Sequence, residues 1–391
     1  MTYINDILFV NHAGDLGGAE LCLLNYIERT NFNGRVLLFS SGAFRYELED
    51  QGIKVDILPR AREILSIHRG SSFSHLVRAA FNLTGLIFSI VKRLRTTRIV
   101  YANSQKAAAL TAVAAVFTRT PMVWHLHDIM TAPDFSGINR RLVIAATNLT
   151  ARLVIANSEA TAEAYREVGG TRPVAVVPNG IDPLPFDQID RSTSRSLVRD
   201  EFGIPDVPIL GFFGRICRWK GQDVAIRALK DVSGAHIVFV GAAFFGENDY
   251  AVELIQLAAE FGVTDRVHFA GFRRDVPLLM RGMDVLLHCS TEPEPFGRVI
   301  VEGMMAQVPV IAARGGGATE ILEGTGAGIL LPPGDVNVLA ATLIQLLASD
   351  GELAAMGQIG GLHARRYYTA EAVNRRTNEL LAPFLAGRYE R

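Results

Sequence analysis

Short, β-branched apolar runs recur along the chain, each followed by a longer stretch with helical spacing, and this alternation limits the fold more than any other feature. The first series comprises residues 7–10, 36–39, 55–58, 99–102, 123–126, 153–156 and 174–177. Alternating strand and helix reads as a parallel sheet covered on both faces, since a parallel return needs a crossover long enough to hold a helix. The rhythm breaks at Pro183, Pro185, Pro205 and Pro208, then resumes with residues 209–213, 237–240, 267–269, 285–288, 310–312 and 328–331. A chain of 391 residues exceeds what one ordinary core organises. Two doubly wound α/β domains are therefore expected, at 1–182 and 183–368. Ligands of such sheets bind beyond the carboxyl ends of the strands, so two facing domains would hold a cleft and the functional motifs should follow strands.

Composition narrows the function. The chain is 49% hydrophobic and 20% charged, as expected of a globular protein. A net charge of −1 excludes whole-protein attraction to nucleic acid. The charge is uneven: residues 1–180 carry 19 Lys and Arg against 14 Asp and Glu, and the remainder 20 against 26. Cys22, Cys217 and Cys289 are far apart with no C-x-x-C pair, which indicates neither a disulfide framework nor a zinc site. The first residues lack a basic n-region, and no stretch reaches the ~18 apolar residues of a membrane span. A cytoplasmic protein is expected.

Three motifs follow strands. Gly14-Asp15-Leu16-Gly17-Gly18-Ala19-Glu20 is a glycine turn opening a helix; it lets a ligand approach the backbone but is not the G-x-G-x-x-G of a nicotinamide site. Gly214-Arg215-Ile216-Cys217-Arg218-Trp219-Lys220-Gly221 places two cations, Arg215 and Lys220, where they could clamp a diphosphate, or merely sit solvated at the surface. The most informative stretch runs from Glu292 to Ala306: Pro293 and Pro295 keep Glu294 in extended chain, and the apolar spacing after Gly297 puts Glu302 inside a helix. Paired carboxylates suggest a glycosidase, whose pair must lie ~5 Å or ~6.5 to 9.5 Å apart. Eight helical residues rise about 12 Å, so this pair spans a ligand rather than flanks a bond.

Glu294 and Glu302 resemble the E-x7-E motif of the family 4 (GT4) retaining glycosyltransferases. The resemblance continues in order through Gly17-Gly18-Ala19-Glu20, His127-Asp128, Pro178-Asn179-Gly180-Ile181-Asp182, Gly214-Arg215 with Lys220-Gly221, and Gly315-Gly316 with Glu320, covering nearly the whole chain. It implies the GT-B fold, two Rossmann-like domains facing across a cleft: an acceptor domain, a nucleotide-sugar domain, and a C-terminal helix at 369–391 crossing back to the first. It further implies a nucleotide-diphosphate sugar as donor, a saccharide or lipid-linked acceptor in surface polysaccharide or glycolipid synthesis, and no cofactor or metal. No D-x-D run is present to hold a metal.

In that likeness Arg215 and Lys220 stabilise the leaving diphosphate, while Glu294 takes hydroxyls of the transferred sugar beside the backbone of Phe296, Gly297, Arg298 and Val299. Glu302 takes the ribose, Gly17, Gly18, Asn179 and Gly214 line the donor, and His127 lies near the anomeric carbon, with His125 as the alternative for that role. Retention would follow from front-side displacement in which the departing phosphate receives the acceptor proton. Gly303 and Arg298 stand where Ala and Leu are usual, leaving donor choice open. Residues 60–98 hold eight cations against Glu63 alone, around an apolar stretch at 79–91, and could dock on anionic lipid. A nucleotide-sugar epimerase or a non-catalytic binding protein would share much of this pattern.

Overall fold

The structure is a computed structural model and describes residues 5–30, 34–58, 73–132, 137–243 and 247–386. The first part of the basic segment, with Arg60, Arg62, Glu63 and Arg69, lies outside the described residues, as do the side chains of 73–82. The chain divides into two compact units. Unit 1 is Met1–Gly180 with Ala370–Arg391, and unit 2 is Ile181–Thr369.

Unit 1 is built on a parallel sheet of seven described strands, β1 (Asn5–Asn11), β2 (Gly34–Leu38), β3 (Val55–Ile57), β4 (Thr97–Ala102), β5 (Met122–Leu126), β6 (Ala151–Ala156) and β7 (Val174–Val176). Their order is β3-β2-β1-β4-β5-β6-β7, so the winding reverses between β1 and β4. Period-two geometry explains why these runs are apolar throughout: Leu8, Val10, Val100 and Trp124 feed the core on one face, while Ile7, Phe9, Ile99 and Val123 feed the other.

Unit 2 repeats the plan with β8 (Ile209–Phe213), β9 (His236–Val240), β10 (Val267–Gly271), β11 (Val285–His288), β12 (Val310–Ala313) and β13 (Gly328–Leu331), ordered β10-β9-β8-β11-β12-β13. Its reversal falls between β8 and β11.

Two features depart from the plain reading of the proline-rich stretch. Residues 183–208 are not a bare connection: the helix Arg191–Phe202 occupies them, started by Asp190, whose carboxylate accepts from the Thr193 amide at 2.9 Å, and stopped by Gly203 in the left-handed region. Its Val198 is buried with Ile204 in the core of unit 2. The helix Ala370–Leu385, at the other end, belongs to unit 1, where Val373, Leu381 and Phe384 join the core and Asn378 accepts from the Tyr26 hydroxyl at 2.7 Å. Gly180 permits that return, because a Cβ there would lie 2.7 Å from Ala370 Cα.

Candidate functional site

Each unit gathers its polar side chains where the winding reverses, the place at which an open parallel sheet leaves a crevice beyond its strand ends. In unit 2 the loop after β8 meets the chain leaving β11. Gly221 makes the approach possible: it is left-handed at φ 73°, and a Cβ would lie 2.2 Å from the Cys289 carbonyl oxygen. The loop thereby brings Lys220 Nζ to 2.5 Å from Glu294 Oε2. The same oxygen accepts from His288 Nε2 at 3.0 Å and from Ser290 Oγ at 3.2 Å. An ionised carboxylate only accepts, so the Nε2 of His288 carries the proton, while its buried Nδ1 has no protein partner. Burial alone would raise the Glu294 carboxyl, but the Lys220 ammonium and the His288 hydrogen bond prevail and hold it well below the usual carboxylate range.

The backbone of Glu294 is clamped from β12. Its carbonyl accepts from the Gly317 amide at 2.8 Å, and Gly316, at φ 56°, passes so close that a Cβ would sit 2.1 Å from that oxygen. The double glycine Gly315-Gly316 thus has a positioning role. Gly297, at φ 97°, then opens the helix Arg298–Met305, in which Arg298 pairs with Glu302 at 2.8 Å. Ile300, Val301, Met304 and Met305 turn into the core, leaving Glu302 partly exposed. The Phe296 side chain is itself buried against Tyr368, so only its backbone faces the loop. Val299 is half-buried. Arg215 is exposed on the Gly214 loop, which is held by a 2.8 Å bond from Gln222 Nε2 to the Arg215 carbonyl.

Unit 1 gathers a different set. Asn11 ends β1, and Asn103 follows β4. Asn11 donates to Glu20 at 2.9 Å, and Glu20 in turn accepts from the Gly17 amide at 3.1 Å, which satisfies the amide of the residue that precedes the helix Gly18–Glu28. Asn103 donates to the Ala19 carbonyl at 3.1 Å, which fixes its amide orientation and aims Oδ1 at His127 Nε2, 3.0 Å away. His127 therefore donates through Nε2 and keeps a bare acceptor at Nδ1, buried and without a protein partner. His125 is buried and shares a 2.6 Å hydrogen bond with the Tyr101 hydroxyl through Nδ1. Of the two histidines His127 is the more accessible.

Burial moves each titratable group of this network toward its uncharged form: His127 falls to about 3, His125 falls well below its ordinary value, and Asp128 rises to about 6. Burial raises Glu20 too, against the bonds from Asn11 and Gly17. Asn179, at the end of unit 1, is buried with Oδ1 lacking a protein partner. Gly17 caps the helix and Gly18 is exposed. Among the described residues no three His, Cys, Asp or Glu converge as a metal-ligand set.

Sequence reasoning missed His288, Ser290, Asn11 and Asn103. Their common signal is a polar residue closing an otherwise apolar strand run, where a strand buried on both faces should stay apolar.

Residues 194–361 match the model of glycosyl transferases group 1, and residues 42–183 match that of glycosyltransferase family 4. The solved structure of Anabaena HepE in complex with UDP and glucose superposes with a TM-score of 0.87 at 34% identity, covering 97% of this chain and 99% of that one. The 2-deoxystreptamine glucosyltransferase of Streptomyces kanamyceticus is 31% identical over 56% of this chain and 55% of its own length. The D-inositol 3-phosphate glycosyltransferase of Corynebacterium jeikeium is 32% identical over 62% and 58%. The chain thus spans little more than half the length of these curated relatives. Both winding reversals carry the residues singled out by the motif series, and both halves of the chain match glycosyltransferase models: the chain belongs to the family 4, or group 1, glycosyltransferases, with the paired parallel sheets of the GT-B fold.

Proposed function

We propose that this protein is a metal-independent, retaining hexosyltransferase that uses a uridine diphosphate hexose, UDP-glucose first among them, and delivers the hexose to a saccharide or lipid-linked acceptor in cell-surface polysaccharide or glycolipid synthesis in the cytoplasm. The observation that carries the reading is the Lys220–Glu294–His288 cluster at the β8/β11 reversal of unit 2. It provides a preorganised cation for a diphosphate beside an ionised carboxylate for sugar hydroxyls. HepE has been solved with UDP-glucose, which favours that donor here.

Lys220 and Glu294 share a short bond. Donor binding would give Lys220 a phosphate oxygen as a second partner, with Arg215 joining from the same loop. Glu302, kept in place by Arg298, would take ribose hydroxyls. His127 Nδ1, held as a neutral acceptor, would receive a substrate hydroxyl. In the transfer the C1–O bond to the diphosphate breaks, C1 bonds to the acceptor oxygen, and the acceptor proton passes to the departing phosphate.

The test is UDP release from UDP-glucose with acceptor extract present, with and without EDTA. Release that needs acceptor and survives EDTA is expected. Conversion of the donor alone into another sugar nucleotide would favour the epimerase, and UDP-glucose binding without turnover would favour a non-catalytic binding protein.

A further inference from the structure

Unit 1 carries an outward face that neither the sheet nor the motif series uses. The helices Phe73–Leu94, Gln105–Thr118 and Gly137–Thr150 share the core built on Leu8, Val10 and Trp124, so all three cover the same side of the sheet. Val143, Ile144 and Thr147 of the third helix point inward. Ile138, Leu142, Ala145 and Leu149 form a second stripe at helical spacing on its other side, and Ile138, Leu142 and Leu149 are 65–68% exposed. The neighbouring helix adds Val113, Val116 and Phe117, the last 68% exposed, and the first adds Phe88, also at 68%. A helix with apolar stripes on two sides has more to bury than its own sheet can cover.

The three helices that form this face carry charge of one sign, and acidic side chains enter only from the next helix on that side of the sheet, Glu159–Glu167, with Glu163 and Glu167 exposed beside Arg166. None of the three helices contains an Asp or Glu, and the sequence has none from residue 64 to residue 127. Lys92, Arg95, Lys106, Arg119 and Arg141 are exposed at the helix ends and beside the stripe. Unit 2 supplies the contrast: on the helix Asn248–Glu260 the exposed Val252 and Ile255 are interleaved with Asp249, Glu253 and Glu260. Apolar side chains whose own helices carry only cations suit a surface that is apolar beneath and anionic at its edge. A symmetric second copy would set these cations against one another, whereas an anionic bilayer neutralises them and accepts the rings. No single described helix is long and apolar enough to cross a membrane, so contact would be peripheral.

We infer that the outer faces of these three helices dock unit 1 on an anionic lipid bilayer, with Phe88, Phe117, Ile138, Leu142 and Leu149 entering the headgroup boundary and the cations engaging lipid phosphates. The docking surface is thereby extended well beyond the basic segment 60–98, to helices whose outward side chains are described.

Co-sedimentation of the full chain with vesicles of phosphatidylcholine alone, and of equal parts phosphatidylcholine and phosphatidylglycerol, tests this. The wild type is expected to bind the anionic vesicles at low salt and to leave them at high salt. Arg119→Glu with Arg141→Glu should weaken that binding by at least about twentyfold, since each lost cation costs roughly fivefold. Phe117→Ser with Leu142→Ser should weaken it by about tenfold or more. Thermal unfolding and UDP-glucose binding confirm that each variant is folded, and Leu149→Ser on the same stripe replaces any that is not.

The inference falls if the wild type ignores anionic vesicles or if both variants bind like the wild type. It also falls if light scattering shows a dimer that Phe117→Ser with Leu142→Ser breaks, because the face would then belong to a second copy. Failure here leaves the donor assignment standing, as UDP-glucose binding is read separately.

Discussion

The two units share one architecture and use it in opposite electrical styles. At its reversal unit 2 sets full charges against each other, Lys220 against Glu294 and Arg298 against Glu302. Unit 1, at the equivalent place, keeps amides, a phenol and imidazoles that burial holds neutral, beside two carboxyls, Glu20 and Asp128, that burial pushes toward the protonated form. Preorganised charge suits the ions that a phosphate leaving group would produce, whereas a network pushed toward its uncharged forms suits the recognition of hydroxyls. The same fold thus separates a place for charge from a place for hydrogen-bond direction.

Removing the charge on the unit 2 side should have the largest effect. Lys220→Ala is expected to lower the rate of UDP release at least about a hundredfold, the scale for losing a preorganised charge-stabilising group. Near-normal turnover would break the contrast at its strongest point. The next effect is in unit 1 and appears with pH. In the folded chain His127 stays unprotonated down to about pH 3, while in the unfolded chain it takes its proton near the ordinary value of 6.5, so acid favours unfolding from about pH 6.5 downward. At pH 5 this costs the wild type up to about 2 kcal/mol that His127→Gln would not lose. Urea unfolding of both proteins at pH 7 and pH 5 measures the difference, and identical pH dependence would mean that His127 is not held neutral. The smallest effect sharpens roles within unit 2: Glu302→Gln should weaken UDP-glucose binding about tenfold while changing turnover at saturation little, as loss of uniform binding does. Titration calorimetry alongside UDP release would show unchanged binding and a fall in turnover if Glu302 instead acts only in the transition state.

Much of the charged half was legible beforehand because its physics is local. Glycine, proline and helix spacing around Glu294 and Glu302 fix where each carboxylate lies along the chain, and the structure places Glu302 inside the helix Arg298–Met305. The neutral half was hardly legible. Tyr101 and Asn103 are brought to His125 and His127 by β4 pairing with β5, and Asn103 is brought to the Ala19 carbonyl by β4 pairing with β1 across some ninety residues of sequence, with Asn5 opposite Thr97 and Val10 opposite Ala102. No local pattern announces such contacts. His288 was hidden for the same reason, since only the left-handed turn at Gly221 carries Lys220 toward the end of β11. The helix Arg191–Phe202 was obscured differently: its prolines lie outside both ends and read as a break, while the start and stop signals were Asp190 and Gly203.

The return of the helix Ala370–Leu385 to unit 1 has a consequence for biosynthesis. Unit 2 is an insertion, entered at Ile181 and left at Thr369, and a parallel bridge pairs those two residues. A ribosome therefore emits the first part of unit 1 well before Val373, Leu381 and Phe384, which follow only after all of unit 2 has been made. Unit 2, made later, can close its core sooner. The nascent first half must wait with one face of its sheet incompletely covered, and in that interval it is the part of the molecule most in need of a chaperone.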